Sequence, residues 1–146
     1  MLNVAVINGG RGAASLIPSL LSAPDLQVTS IVNAYDDGKS TGEIRKFFGM
    51  LGPSDIRKVQ ELMLPEDHKD FRSSQHLFQF RYSEDIKRES ILKELEDYAQ
   101  ERSNTVTGVS FQSALIDGSI RAFINEFIIS LKLIEKNTQE EFNFSD

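Results

Sequence analysis

The first apolar segment runs from Leu2 to Ile7, is rich in β-branched side chains, and stops at Asn8-Gly9-Gly10. A short continuous apolar run closed by glycines predicts a strand buried on both faces. From Ala13 to Ser22 the period changes. Leu16, Ile17, Leu20 and Leu21 fall at helical spacing, so a helix is predicted directly after the glycines, with Pro18 inside it as a kink or weak point. Ala23-Pro24-Asp25 reads as a turn, and Leu26 to Val32 as a second strand whose apolar body is Val28, Ile31 and Val32. Strand, glycine loop, helix and strand make a βαβ unit, which implies a parallel sheet.

Past Val32 the pattern becomes polar. Asn33 to Gly42 reads as a loop, Thr41 to Phe48 as a helix, and Gly49 to Pro53 as a break, with Ser54 as the N-cap of a helix reaching Leu62. Glu66 to Arg81 mixes charge with Phe71, Phe78 and Phe80 and shows no clear period. Residues 66–104 are expected to form a helical insertion or lid. Within them, Asp85 to Arg102 predicts a charged amphipathic helix turning Ile86, Ser90, Leu92, Leu95 and Ala99 to the core. Phe111 to Lys136 is the longest predicted helix. It carries Ile116, Ile120, Phe123, Ile124, Phe127, Leu131 and Ile134 on one face, and Ile128, Ile129 and Leu133 off it. Residues 137–146 read as a polar, frayed tail. The fold class is α/β, a parallel sheet with flanking helices. Two strands are too few for such a sheet, which needs neighbours and cover on both faces. The sheet is therefore expected to be incomplete in this chain, with residues 1–136 the N-terminal portion of one larger domain.

Composition narrows the function classes. The 146 residues carry 16 Lys plus Arg against 22 Asp plus Glu, a net charge of −6, which argues against a broad nucleic-acid surface. Cysteine is absent, excluding disulfides, thiolate metal sites and cysteine nucleophiles. The most apolar stretch, Ile120 to Ile134, is interrupted by Arg121, Asn125, Glu126 and Lys132, so no membrane span or membrane partner is expected. The start, MLNVAVI, has no basic segment before its apolar run, so it does not read as a signal peptide, and the reducing cytoplasm is the expected location.

Three motifs could carry chemistry. Gly9-Gly10-Arg11-Gly12 joins the first strand to the first helix. Glycines there let a phosphate approach the backbone, and a helix N-terminus offers free N–H groups. Against the dinucleotide fingerprint, Gly10 and Gly12 fit, but Ser15 stands in the third glycine's place; a plain strand-to-helix turn is the competing reading. Asp36-Asp37-Gly38-Lys39-Ser40-Thr41-Gly42 follows the second strand. Its paired carboxylates suit Mg²⁺ or ligand hydroxyls, and Lys39, Ser40 and Thr41 are phosphate donors; a solvated loop with an N-cap threonine competes. Gly52-Pro53-Ser54-Asp55-Ile56-Arg57 opens a helix, where Ser54 or Asp55 could simply cap it. All three follow strands or open helices, as expected of the carboxyl-end crevice of an open sheet. Arg11, Lys39, Arg45 and Arg57 lie in or beside these motifs, so a local basic pocket is expected on an acidic protein. His68 and His76 have no metal-ligand spacing and read as surface or structural residues.

In this order the motifs resemble those of the 2-phospho-L-lactate transferase (CofD) and gluconeogenesis-factor (YvcK) superfamily, which shows GGTG, then ADDGGSSGRLR, then PPGDIRN at similar spacings. The likeness covers residues 3–62, and Asp117-Gly118-Ser119-Ile120 is similar to the start of a later family helix. Here Arg11 stands for the family Thr, Lys39 for Gly and Ser54 for Gly. The resemblance implies a Rossmann-like fold about twice this length. One branch of the family transfers a phospholactyl group from a guanylyl-diphosphate-type donor to a deazaflavin with Mg²⁺; another binds a nucleotide sugar without turnover. By resemblance, Gly9, Gly10, Arg11 and Gly12 would face the donor's phosphates, with Lys39, Ser40, Thr41 and Arg57 nearby. Asp36 and Asp37 would hold Mg²⁺, with Asp55 as a third catalytic carboxylate. The implied partner is a nucleotide-diphosphate conjugate, such as a guanylyl-phospholactate or a UDP-sugar, and homo-oligomer formation stays open. A dinucleotide-dependent dehydrogenase is disfavoured because the second strand ends at Asn33 with no acid for a ribose.

Overall fold

The computed structural model describes residues 1–9, 12–35 and 39–144, with the backbone alone for Lys39 and Ser40. The chain divides into two compact units, Met1–Glu66 and Asp67–Asp146.

The first unit is built from β1 (Leu2–Asn8), α1 (Ala13–Leu21), β2 (Leu26–Val32), α2 (Lys39–Phe48) and α3 (Ser54–Leu62). The strands pair in parallel, from Leu2 opposite Leu26 to Asn8 opposite Val32, as the βαβ order requires. Among the described residues the sheet has these two strands only, so the α/β class and the incomplete sheet both hold. The core is small: Ala13 and Ile17 of α1 meet Val59 of α3, with Val32, Leu62 and Met63 packed around them. Val6 is buried, whereas Ile7 is 83% and Ile31 52% exposed. The expectation that β1 is buried on both faces is thus corrected. α1 and α3 pack against one another and β2, leaving the residues of opposite parity uncovered. α1 runs unbroken through Pro18. The ring faces solvent, and the turn beyond it closes with the Ser22 N–H donating to the Pro18 carbonyl at 3.1 Å.

The second unit contains α4 (Phe71–Gln79), α5 (Arg88–Ala99) and α6 (Ala114–Thr138). α5 and α6 pack around Ile91, Leu95, Tyr98, Val106, Ile124 and Ile128. Two expected faces are corrected. α5 starts at Arg88, so Ile86 precedes it and is exposed, and the buried stripe is Ile91, Leu95 and Tyr98. On α6, Phe123 is 72% exposed while Ile128 is buried, a rotation of the buried stripe onto Ile124, Ile128 and Leu131. The segment after α6 is not frayed up to Phe144: the Phe142 N–H donates to Glu135 at 2.9 Å, and the rings of Phe127, Phe142 and Phe144 meet edge to face.

Buried polar groups fix the ends of these helices. Asp70 is 1% exposed, and its carboxylate accepts the N–H groups of Gln112 at 2.6 Å and Ser113 at 2.8 Å. Burial alone would raise this carboxyl, but those two donors, with His68 and Lys69 nearby, hold it below the usual carboxylate range. Asp117 accepts from Tyr98 at 2.5 Å and from Arg121 at 2.6 Å, and the Arg121 guanidinium lies 4.0 Å from the Tyr98 ring centre. Burial and the Asp117 carboxylate push the Tyr98 hydroxyl well above its usual range. Both histidines are structural. His68 Nδ1 accepts the Asp70 N–H at 3.1 Å, and His76 Nε2 lies 2.9 Å from the Thr107 carbonyl.

Candidate functional site

Parallel pairing sets the carboxyl ends of β1 and β2 side by side, at Asn8 and Val32. That is where an open α/β sheet presents its loops to a ligand. Beyond Asn8 the chain turns at once: the Ala13 N–H donates to the Gly9 carbonyl at 3.2 Å, and Gly12 is the N-cap of α1. Beyond Val32 the Asn33 N–H returns to the Asn8 carbonyl at 3.0 Å, holding the two strand exits together.

The third motif meets the first here. A Cβ placed on Gly9 would lie 3.2 Å from Asp55 Oδ2. The carboxylate therefore lies in close contact with the position that a Cβ at residue 9 would take. Asp55 is in the first turn of α3, where the exposed N–H groups favour a negative charge. The second motif meets the third through hydroxyls: Thr41, 3% exposed, donates to Ser54 Oγ at 2.5 Å. The capping reading of Ser54 is corrected. Pro53 holds the N-cap position without a side-chain cap, Ser54 is the first helical residue, and its oxygen accepts from Thr41. Thr41 lies inside α2, which begins two residues earlier than the pattern predicts, so it is not an N-cap either. Arg57 is half-buried in the same turn of α3, its N–H donating to the Pro53 carbonyl at 2.8 Å.

The structure thus places Gly9, Gly12, Thr41, Asp55 and Arg57 on turns and helix starts at one end of this unit. Gly10, Arg11, Asp36 and Asp37 lie outside the described residues, as do the side chains of Lys39 and Ser40. Among the described residues no three His, Asp or Glu side chains group as a metal site. On α2, Arg45 lies over the Tyr35 ring at 4.5 Å, and Arg45 and Lys46 line a hollow of about 470 Å³ together with Gly42, Gly49, Met50 and Leu51.

Two residues of this region are not obvious from spacing. Ser54 reads as a cap in the sequence, and only the fold shows it joining two motifs. Asn8 reads as a strand terminator. Its Nδ2 donates to Ser30 Oγ at 2.7 Å and to the Val6 carbonyl at 3.1 Å, while its Oδ1 is buried without a partner among the described residues. The signal for Asn8 was its polarity at the end of an apolar run.

Comparison with known proteins bears on the whole chain. The family model described as 2-phospho-L-lactate transferase CofD matches residues 4–135. It therefore continues through residues 66–104, where the recognisable motifs run out. Among curated proteins, the gluconeogenesis factor of Listeria monocytogenes is 40% identical over 82 residues, 56% of this chain and 24% of that protein. The gluconeogenesis factor of Listeria innocua is 39% identical over 82 residues, again 56% of this chain and 24% of the relative. The matched stretch is thus about a quarter of these relatives' own length. No solved structure matches.

Proposed function

Because the chain belongs to the 2-phospho-L-lactate transferase CofD family, we propose that it binds a nucleotide-diphosphate conjugate, such as a guanylyl-phospholactate or a UDP-sugar, at the carboxyl ends of β1 and β2. The observation that carries this reading is the Asp55 carboxylate lying against Gly9. A carboxylate beside a phosphate-binding turn repels its ligand unless a cation lies between them. Hard carboxylate oxygens are the donors Mg²⁺ takes, and Asp55 brings one carboxylate to the turn. By the family resemblance Asp36 and Asp37 would hold the ion, and once bound it would supply positive charge against the phosphoryl oxygens.

The chain's own residues have distinct tasks in this reading. The N–H groups of the Gly9 to Gly12 turn and the start of α1 receive phosphate oxygens, with Arg11, Lys39, Ser40 and Arg57 adding donors around them. In the transfer, the acceptor hydroxyl oxygen bonds to the phosphorus bearing the phospholactyl group. The bond from that phosphorus to the bridging oxygen breaks, and a nucleoside monophosphate leaves. Asp55 takes the proton from the attacking hydroxyl, and Arg11 stabilises the charge that builds on the phosphoryl oxygens.

A second reading rests on the relatives, which carry the name gluconeogenesis factor. In it the same crevice binds a nucleotide sugar and regulates without transfer. Thermal melting with Mg²⁺ and either GDP or UDP-glucose tests the shared part: an upward shift is expected, and Asp36→Ala should abolish it. The absence of any shift with both nucleotides would sink both readings. Incubation with a guanylyl-phospholactate and a deazaflavin acceptor separates them, because only the transferase releases nucleoside monophosphate.

A further inference from the structure

The Thr41–Ser54 hydrogen bond has a consequence for the proposed ligand, and the inference rests on the nucleotide-binding reading above. Thr41 is 3% exposed and its hydroxyl donates to Ser54 Oγ at 2.5 Å. A hydroxyl has one proton to give, so that of Thr41 is spent inside the protein. Ser54 Oγ, having accepted it, still owns an O–H of its own. Ser54 is the first residue of α3, next to Asp55, whose carboxylate lies against the glycine turn. It also stands where the family pattern has glycine.

We infer that Thr41 is a positioning residue whose buried hydroxyl orients Ser54, and that Ser54 donates its O–H to an oxygen of the bound diphosphate. Thr41, expected from its motif to touch the ligand, acts instead through Ser54. The second and third motifs therefore work as a coupled pair, and this chain has a ligand donor that a glycine at position 54 cannot provide. Anchoring matters because a free serine rotor loses orientation entropy when it engages a ligand, whereas one already holding an acceptor bond has fewer orientations to lose.

A double-mutant cycle on the full chain tests this, with GDP and UDP-glucose in the presence of Mg²⁺ as probes, titrated calorimetrically, and thermal melting as the control. Ser54→Ala and Ser54→Gly are expected to weaken nucleotide binding by about tenfold, the scale of one hydrogen bond to a charged group. Thr41→Val should weaken it to a similar degree, and Thr41→Ser should restore it. The diagnostic result is non-additivity: Thr41→Val combined with Ser54→Ala should bind no worse than Ser54→Ala alone. A lowered melting temperature with unchanged nucleotide affinity, or additive losses in the double variant, would overturn the inference and leave the bond as packing. Failure of the unaltered chain to bind either nucleotide would overturn the functional reading, and the inference with it. Binding by the unaltered chain that survives Ser54→Ala overturns the inference alone.

Discussion

Gly9 is the residue on which the site turns, because Asp55 Oδ2 lies close against the side of it where a Cβ would stand. In Gly9→Ala the new methyl would sit 3.2 Å from that oxygen, so the carboxylate has to give by a few tenths of an ångström. A half-buried carboxylate on a rotatable side chain can do so, and the loss of chain entropy in the unfolded state partly offsets the contact. Folding stability is therefore expected to change by less than about 1 kcal/mol, while Mg²⁺-dependent nucleotide binding falls. Chemical denaturation and nucleotide titration on the same preparation check both halves, and an unchanged affinity would show that Asp55 has no part in binding. Asp70 carries the opposite kind of prediction. Its carboxylate is held below the usual range: burial opposes ionisation, but the Gln112 and Ser113 donors outweigh it. A group depressed in the folded state stabilises the protein above its unfolded value, about 3.9, and that stabilisation drains away as pH falls through the lower folded value. Asp70→Asn should accordingly lower the melting temperature near neutrality, with the gap from the unaltered chain closing below about pH 4. A gap of constant size down to pH 3 would mean that shape and not charge holds the 112–113 segment.

At the scale of elements, the strands, the βαβ order and most helix positions were legible from period alone, because apolar spacing reports the element even when it misplaces the buried face. The faces were less legible. On α6, Phe123 and Ile128 are both large and apolar, and nothing local says which one meets α5; the fold buries Ile128 and leaves Phe123 72% exposed. Ile128→Ala should cost about 2–5 kcal/mol, and Phe123→Ala less than about 0.5 kcal/mol, by urea denaturation. Equal costs would return Phe123 to the core. Pro18 does not break α1. The helix survives it because its ring faces solvent, yet Pro18 gives no N–H to the turn before it. Pro18→Ala is expected to stabilise the chain by about 1–2 kcal/mol, the gain in helix propensity less the extra freedom of the unfolded chain. The site was legible as three motifs but not as a connected one. Whether Ser54 caps its own helix or takes a bond from Thr41 depends on where α2 stands, which no local pattern encodes.

For the whole molecule the sheet is the deciding feature. Every residue on its uncovered face is uncharged: Asn3, Ala5 and Ile7 from β1, and Gln27, Thr29 and Ile31 from β2. All six are exposed. Sheets that meet water on one face usually carry charge there, and exposed edges are guarded by lysine or proline. β1 and β2 carry neither on any of their positions. A parallel pair of this composition has the character of a sheet interior, and its apolar face gains free energy when something covers it. Among the described residues no helix is long and apolar enough to cross a membrane. The 146-residue chain is therefore expected to associate with itself in a concentration-dependent way. Sedimentation velocity across a hundredfold range of concentration reads this directly. Ile31→Lys places a charge in the middle of the face at a side chain already 52% exposed. It should shift the distribution towards monomer while altering folding stability by no more than about 0.5 kcal/mol. Two controls locate the effect. Phe123→Lys, on α6, leaves the sheet untouched and should not shift the distribution, whereas Ile7→Lys, opposite Ile31 in register, should act as Ile31→Lys does. A chain that stays monomeric at every concentration without any substitution would show that the open face is tolerated by water as it stands.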